Sequence, residues 1–87
     1  MTAPVLDSIE ATGKANLSRG VYRHYKGGHY LVVGTAWHSE THELMVVYTP
    51  LYETGMPTDF VVRPYRLFTD EVSSGVRRFR YLGANAP

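Results

Sequence analysis

The chain contains no cysteine, so neither disulfide bridges nor thiolate zinc centres can stabilise it. It has no apolar run approaching the roughly 20 residues that a membrane-spanning helix needs. Charge of one sign is also scarce. Nine Lys plus Arg face eight Asp plus Glu, a formal net charge of +1. A dedicated nucleic-acid binder usually shows a clear basic excess, and this chain does not. The opening MTAPVLDSIEATGKANLSR lacks the basic region and apolar core of a secretory leader. It reads as a polar arm, frayed or weakly helical. These absences lead us to expect a soluble, cytoplasmic protein with no metal or cofactor.

What is present is aromatic. The 87 residues include seven Tyr, three Phe and one Trp. A chain this short makes one domain and buries only about 60% of its unfolded surface. Aromatic rings, each burying roughly 150–250 Å², must then supply much of the core.

The periodicity is that of strands. Val21, Arg23 and Tyr25 alternate with Tyr22 and His24, placing a first strand over Gly20 to Tyr25. Lys26-Gly27-Gly28 breaks it, and paired glycines permit the positive φ of a tight hairpin turn. A second strand is predicted over His29 to Trp37, with Gly34 marking a bulge or sharp bend. After the polar His38-Ser39-Glu40-Thr41-His42 connection, a third strand runs from Glu43 to Thr49. Leu44, Val46 and Tyr48 share one of its faces. Pro50 stops it, and Gly55 and Pro57 punctuate the following loop. A short fourth strand is placed at Asp59 to Arg63. Pro64 suits the start of a helical turn carrying Tyr65, Phe68 and Val72. A closing strand over Arg77 to Leu82 alternates Phe79 and Tyr81 with Arg78 and Arg80. The expected layout is an arm over 1–18, one domain over 19–82 and a tail over 83–87. The predicted fold is all-β: about five short strands bent into a small barrel, with a short helical turn before the last.

The combination of Gly20-x-Tyr22-x-His24-Tyr25-Lys26-Gly27, Tyr30-x-Val32, His38-Ser39-Glu40-Thr41-x-Glu43, Val46-Val47-Tyr48, Leu51-Tyr52, Val62-Arg63-Pro64 and Phe68 resembles a family of small bacterial proteins known as domain of unknown function 1653. The resemblance covers roughly Arg19 to Arg80. It implies a small SH3-like β-barrel and no reaction.

Four features could carry chemistry. His38 and His42 lie four apart with Glu40 and Glu43 beside them, and with His24 or His29 they contain the donor atoms of a metal site. On a helix that spacing would align the two histidines, but this segment reads as a turn. Ser39 beside His38 does not make a nucleophile, because adjacent residues point apart and nothing orients a base. Glu40 and Arg63 both sit at strand ends and could pair bidentately if the third and fourth strands are neighbours. Tyr25, Trp37, Tyr48 and Tyr52 are candidates for an exposed platform of the kind that grips peptides or cations. Tyr30, Phe60, Phe68 and Phe79 are assigned to the core.

Lys26-Gly27-Gly28 lacks the helix and glycine spacing of a phosphate loop. Arg77, Arg78 and Arg80 read as the charged guard of an edge strand. The expected role is a non-catalytic binding module for a peptide, protein or small ligand. Its face is Tyr25, Trp37, His38, Ser39, Glu40, Glu43, Tyr48, Tyr52 and Arg63. Neither nucleic acid nor membrane is the expected partner. The alternatives are a small metal-dependent hydrolase using the His/Glu loop, and a weak RNA-binding barrel using the arginines and nearby tyrosines.

Overall fold

The computed structural model describes residues 17–84. The arm expected over 1–18 therefore lies outside the described residues up to position 16, and the tail expected over 83–87 from position 85. In chain order the elements are β1 (Gly20–His24), β2 (His29–Trp37), β3 (Leu44–Pro50), β4 (Val61–Pro64), α1 (Tyr65–Phe68), β5 (Glu71–Ser73), β6 (Val76–Arg77) and β7 (Phe79–Gly83). Among the described residues no helix is long and apolar enough to cross a membrane.

Five strands form one antiparallel sheet in the order β4-β3-β2-β1-β7, and β5 and β6 form a separate hairpin. Alternation decides which face is buried. Leu44, Val46 and Tyr48 of β3 are buried while Met45 and Val47 are only half-buried. Cross-strand register carries that face through the sheet, with Val32 opposite Tyr48, Tyr22 opposite Tyr30 and His24 opposite Phe79. The register shifts between Val32 and Gly34, the position where a bulge was expected. At the start of β1, Gly20 has φ +136°. A Cβ there would overlap the Gly83 carbonyl oxygen, so glycine lets β1 and β7 approach.

The inner face packs on α1. Tyr22, Val32, Leu44, Val46, Tyr48, Tyr65, Phe68 and Phe79 form one buried cluster. Phe68 and Phe79 stack at 4.1 Å with an interplanar angle of 6°, and Tyr22 meets Phe68 edge-on at 5.3 Å. Thr69 closes the helical turn by donating both its N–H (3.0 Å) and its hydroxyl (2.9 Å) to the Tyr65 carbonyl.

The structure corrects the predicted closed barrel. The edge strands β4 and β7 are not hydrogen-bonded to each other. β4 is only four residues long and runs through Pro64 straight into α1. Side chains span the gap instead: the Arg63 guanidinium of β4 lies 5.6 Å from the Phe79 ring centre of β7. The predicted closing strand is two pieces, because β6 leaves the main sheet to pair with β5 and the chain rejoins it only at Phe79. In the Tyr25–Gly28 turn Gly27 has positive φ, and Gly28 does not.

Three burial assignments are also corrected. Phe60, expected in the core, is 51% exposed, because it precedes β4 and has no place in its alternation. Tyr48, expected on an exposed platform, is 6% exposed, because it shares the face of Leu44 and Val46. Tyr30 is half-buried at the rim of the core rather than inside it.

Candidate functional site

The β2–β3 hairpin separates the expected site residues into two groups. One surrounds the loop that joins the strands. The other lies at the far end of β3, about 20 Å away at roughly 3.3 Å per residue.

At the loop end, the polar groups largely bond one another. The His38 N–H donates to the Glu43 carbonyl at 2.9 Å, and the His42 N–H donates to the His38 carbonyl at 2.8 Å. His38 Nδ1 accepts the backbone N–H groups of Glu40 and Thr41, each at 3.2 Å. His42 holds φ +59° and stacks on the half-exposed Trp37 at 6.3 Å. Glu43 pairs with Arg66 of α1 at 3.2 Å. Ser39 and Glu40 are exposed. Arg63 does not meet Glu40: among the described residues the ion pairs are Arg66–Glu43 and Arg78–Asp70. Nor do three His, Asp or Glu side chains gather there, or elsewhere among the described residues, to hold a metal ion. The His/Glu loop by itself thus brings no three such donors together among the described residues.

At the far end, tyrosines make a corner. Tyr30 of β2 meets Tyr48 of β3 and Tyr52 of the following loop edge-on, each at 5.5 Å, and shares a hydrogen bond with the Tyr52 hydroxyl. Gly28 makes room for the pair, since a Cβ there would lie 3.0 Å from a Tyr52 ring carbon and 3.3 Å from one of Tyr30. Beside them opens a cavity of about 190 Å³, lined by Tyr30, Tyr48, Pro50, Tyr52, Thr54, Met56 and Val61. Burial, and then the bond to Tyr52, push the Tyr30 phenol up to about 12. It stays neutral at ordinary pH and presents a hydroxyl, not a phenolate.

Arg63 projects onto the same face, because β4 pairs Val61 with Tyr48 and Arg63 with Val46. Its Nε donates to the Tyr48 hydroxyl at 3.2 Å, while the plane of the guanidinium rests near the Phe79 ring. Phe68 stacks on that same ring at 4.1 Å. Among the described residues no carboxylate lies within ion-pair distance of Arg63. His24 approaches from β1, its ring 4.9 Å from Phe79 and edge-on to it. His24 Nδ1 accepts the Lys26 N–H at 3.2 Å, so the neutral ring carries its proton on Nε2. Burial first, then the charges of Arg63, Arg78 and Lys26, hold His24 below the usual histidine range. The corner is thus apolar below, phenolic at the side and positive at the rim. It can bind a group that has an apolar body and an oxygen acceptor. Among the described residues no Ser or Thr hydroxyl is hydrogen-bonded to a histidine.

Of the expected face, the corner holds Tyr48, Tyr52 and Arg63. Trp37, His38, Ser39, Glu40 and Glu43 lie at the loop end, and Tyr25 in the β1–β2 turn. His24, considered before only as a metal ligand, and Tyr30, assigned to the core, join the corner, as do Met56 and Val61, which were not singled out. Val61 and Arg63 alternate on one strand, but only the β3–β4 register shows that they share the face of Tyr48.

Known proteins extend this picture. Residues 20–81 match the model of a family described as "Protein of unknown function (DUF1653)". The chain is also similar to the crystal structure of a protein belonging to that family from Bordetella bronchiseptica. The two are 41% identical with a TM-score of 0.74, over 83% of this chain and 95% of the other. No curated protein matches. The chain belongs to the DUF1653 family.

Proposed function

We propose that this member of a family without an assigned function is a non-catalytic binding module for a peptide, protein or small ligand. Its site is the tyrosine corner. One apolar side chain of the ligand enters the cavity of about 190 Å³ between Tyr30, Tyr52, Met56 and Val61. A carboxylate or carbonyl oxygen beside it takes the free N–H groups of Arg63.

One observation carries the reading. Arg63 is oriented by Tyr48 and Phe79, yet among the described residues no carboxylate forms an ion pair with it. A guanidinium held in place loses less freedom on binding and suits planar oxygen acceptors. A cytoplasmic setting belongs to this reading and is supported by the absence of cysteine.

The test is a panel of short peptides ending in Leu, Phe or Val with a free carboxylate, titrated by two-dimensional NMR. Amides of Tyr52, Val61 and Arg63 are expected to shift together, and the shifts to vanish in Arg63→Gln. Shifts that persist in Arg63→Gln, or their absence with every peptide at millimolar concentration, would refute the assignment.

A further inference from the structure

The outer face of the sheet has a charge arrangement that packing does not explain. Arg23 of β1 and Arg80 of β7 are direct cross-strand partners, and both are exposed. Like charges in that position destabilise a sheet. Neither is in an ion pair among the described residues. Arg77 of β6 adds a third positive charge, its Nη1 donating weakly to the Thr69 carbonyl at 3.4 Å. The three arginines line one groove of about 470 Å³ with Tyr25, Val76 and Glu71.

The nearby acids offset only part of this charge: Glu71 is the cross-strand partner of Arg77, and no acid stands opposite Arg23 or Arg80. Asp70 is bound by both Nε (2.8 Å) and Nη2 (3.2 Å) of Arg78. Glu71 Oε1 accepts the Gly75 N–H at 3.3 Å and makes no ion pair among the described residues. The chain is nearly neutral overall, yet three arginines against one glutamate leave this groove with a net positive charge.

Tyr25 gives the groove its second property. It is 40% exposed and follows β1 directly in the turn. Its ring lies 5.8 Å from Lys26 Nζ and 6.0 Å from the Arg78 guanidinium. The ring shares its groove with three arginines that form no ion pair among the described residues, and aromatic rings beside cations are what single-stranded nucleic acids meet, with phosphates on the cations and a base on the ring. A duplex hides its base faces and offers Tyr25 nothing to stack on.

We propose that the groove between β7 and the β5–β6 hairpin binds single-stranded nucleic acid, with phosphates on Arg23, Arg77 and Arg80 and one base against Tyr25. The inference is independent of the tyrosine corner, which lies on the inner face.

The test is fluorescence anisotropy with labelled ten-nucleotide oligouridine and oligothymidine, from 25 to 200 mM salt. Three phosphates at about 0.7 each give an expected slope of log affinity against log salt of about −2. Tyr25→Leu is expected to weaken binding about tenfold with the slope unchanged, since one stacked base is lost. Arg80→Gln is expected to lower the slope to about −1.4, one phosphate fewer. Its melting temperature should be unchanged or raised, because a like-charge pair is relieved, so lost binding will not reflect lost folding. Arg63→Gln is expected to bind normally. Four results would overturn the proposal: no binding at 25 mM salt, salt-independent binding, undiminished binding by Arg80→Gln, or equal competition by a polyglutamate peptide.

Discussion

The two ends of the β2–β3 hairpin use their polar and aromatic side chains in opposite ways. At the loop, His38 caps backbone N–H groups, Glu43 binds Arg66, and His42 covers Trp37. At the far end, Tyr48 and Phe79 position Arg63 without neutralising it, and the tyrosines border an open cavity. The loop end contains more polar residues and so looked the better site in sequence. There His38 is committed to the turn and Glu43 to Arg66. A site needs capacity left over, and that depends on partners rather than on residue type.

The most severe way to break this contrast is Phe79→Ala. Phe79 touches Phe68, Tyr48, Tyr30, His24 and Arg63, and is 3% exposed. Losing it should cost about 3–5 kcal/mol in urea denaturation, enough to unfold much of so small a domain. A loss below about 1 kcal/mol would mean that Phe79 is not the hub of the inner face.

His38→Ala probes the loop end. It removes the acceptor for two N–H groups and should cost about 1 kcal/mol, with peptide binding at the corner unchanged. Lost binding with intact stability would show that the ends are coupled.

Acid tests the corner through His24. Its folded pKa lies below the ordinary 6.5, so the unfolded chain takes up a proton first as pH falls. The stability from a neutral His24 is complete above about 6.5 and declines between that pH and the lower folded value. His24→Gln should flatten the fall in melting temperature over that window. Asp70, lowered chiefly by its bond to Arg78, acts only near and below 3.8. An unchanged slope in His24→Gln would assign the acid sensitivity elsewhere.

The smallest effect is expected from Glu43→Gln. The Glu43–Arg66 pair has side chains 35% and 52% exposed, so its loss should cost at most about 1 kcal/mol and vanish in high salt. A larger, salt-resistant loss would mean that the loop depends on Glu43 beyond this ion pair.

Much of the fold was legible in the residues. β2 spans His29–Trp37, the bounds expected from its strand pattern, and the bulge falls beside Gly34. The alternation of β3 placed Leu44, Val46 and Tyr48 on one face before that face was known to be the buried one. β4 was displaced by two residues at its start, because a four-residue strand after a long loop has too few alternations to set its ends. The split between β6 and β7 left no mark in the sequence, since Val76 and Arg77 have strand character whichever partner they take. In the site, Tyr52 and Arg63 could be singled out individually. The alliance of Arg63 with Tyr48 and Phe79 could not, because it joins residues from three strands.

Local chemistry in the chain determined where strands run, where they turn and which side chains lie together on one face, since alternation acts over neighbouring residues. Tertiary packing alone decided that the sheet stays open, that Tyr48 is buried and Phe60 is not, and which arginines find an acid. Those outcomes depend on distant strands meeting. Short-range periodicity does not encode the distance between residues that close only when the whole sheet has curled.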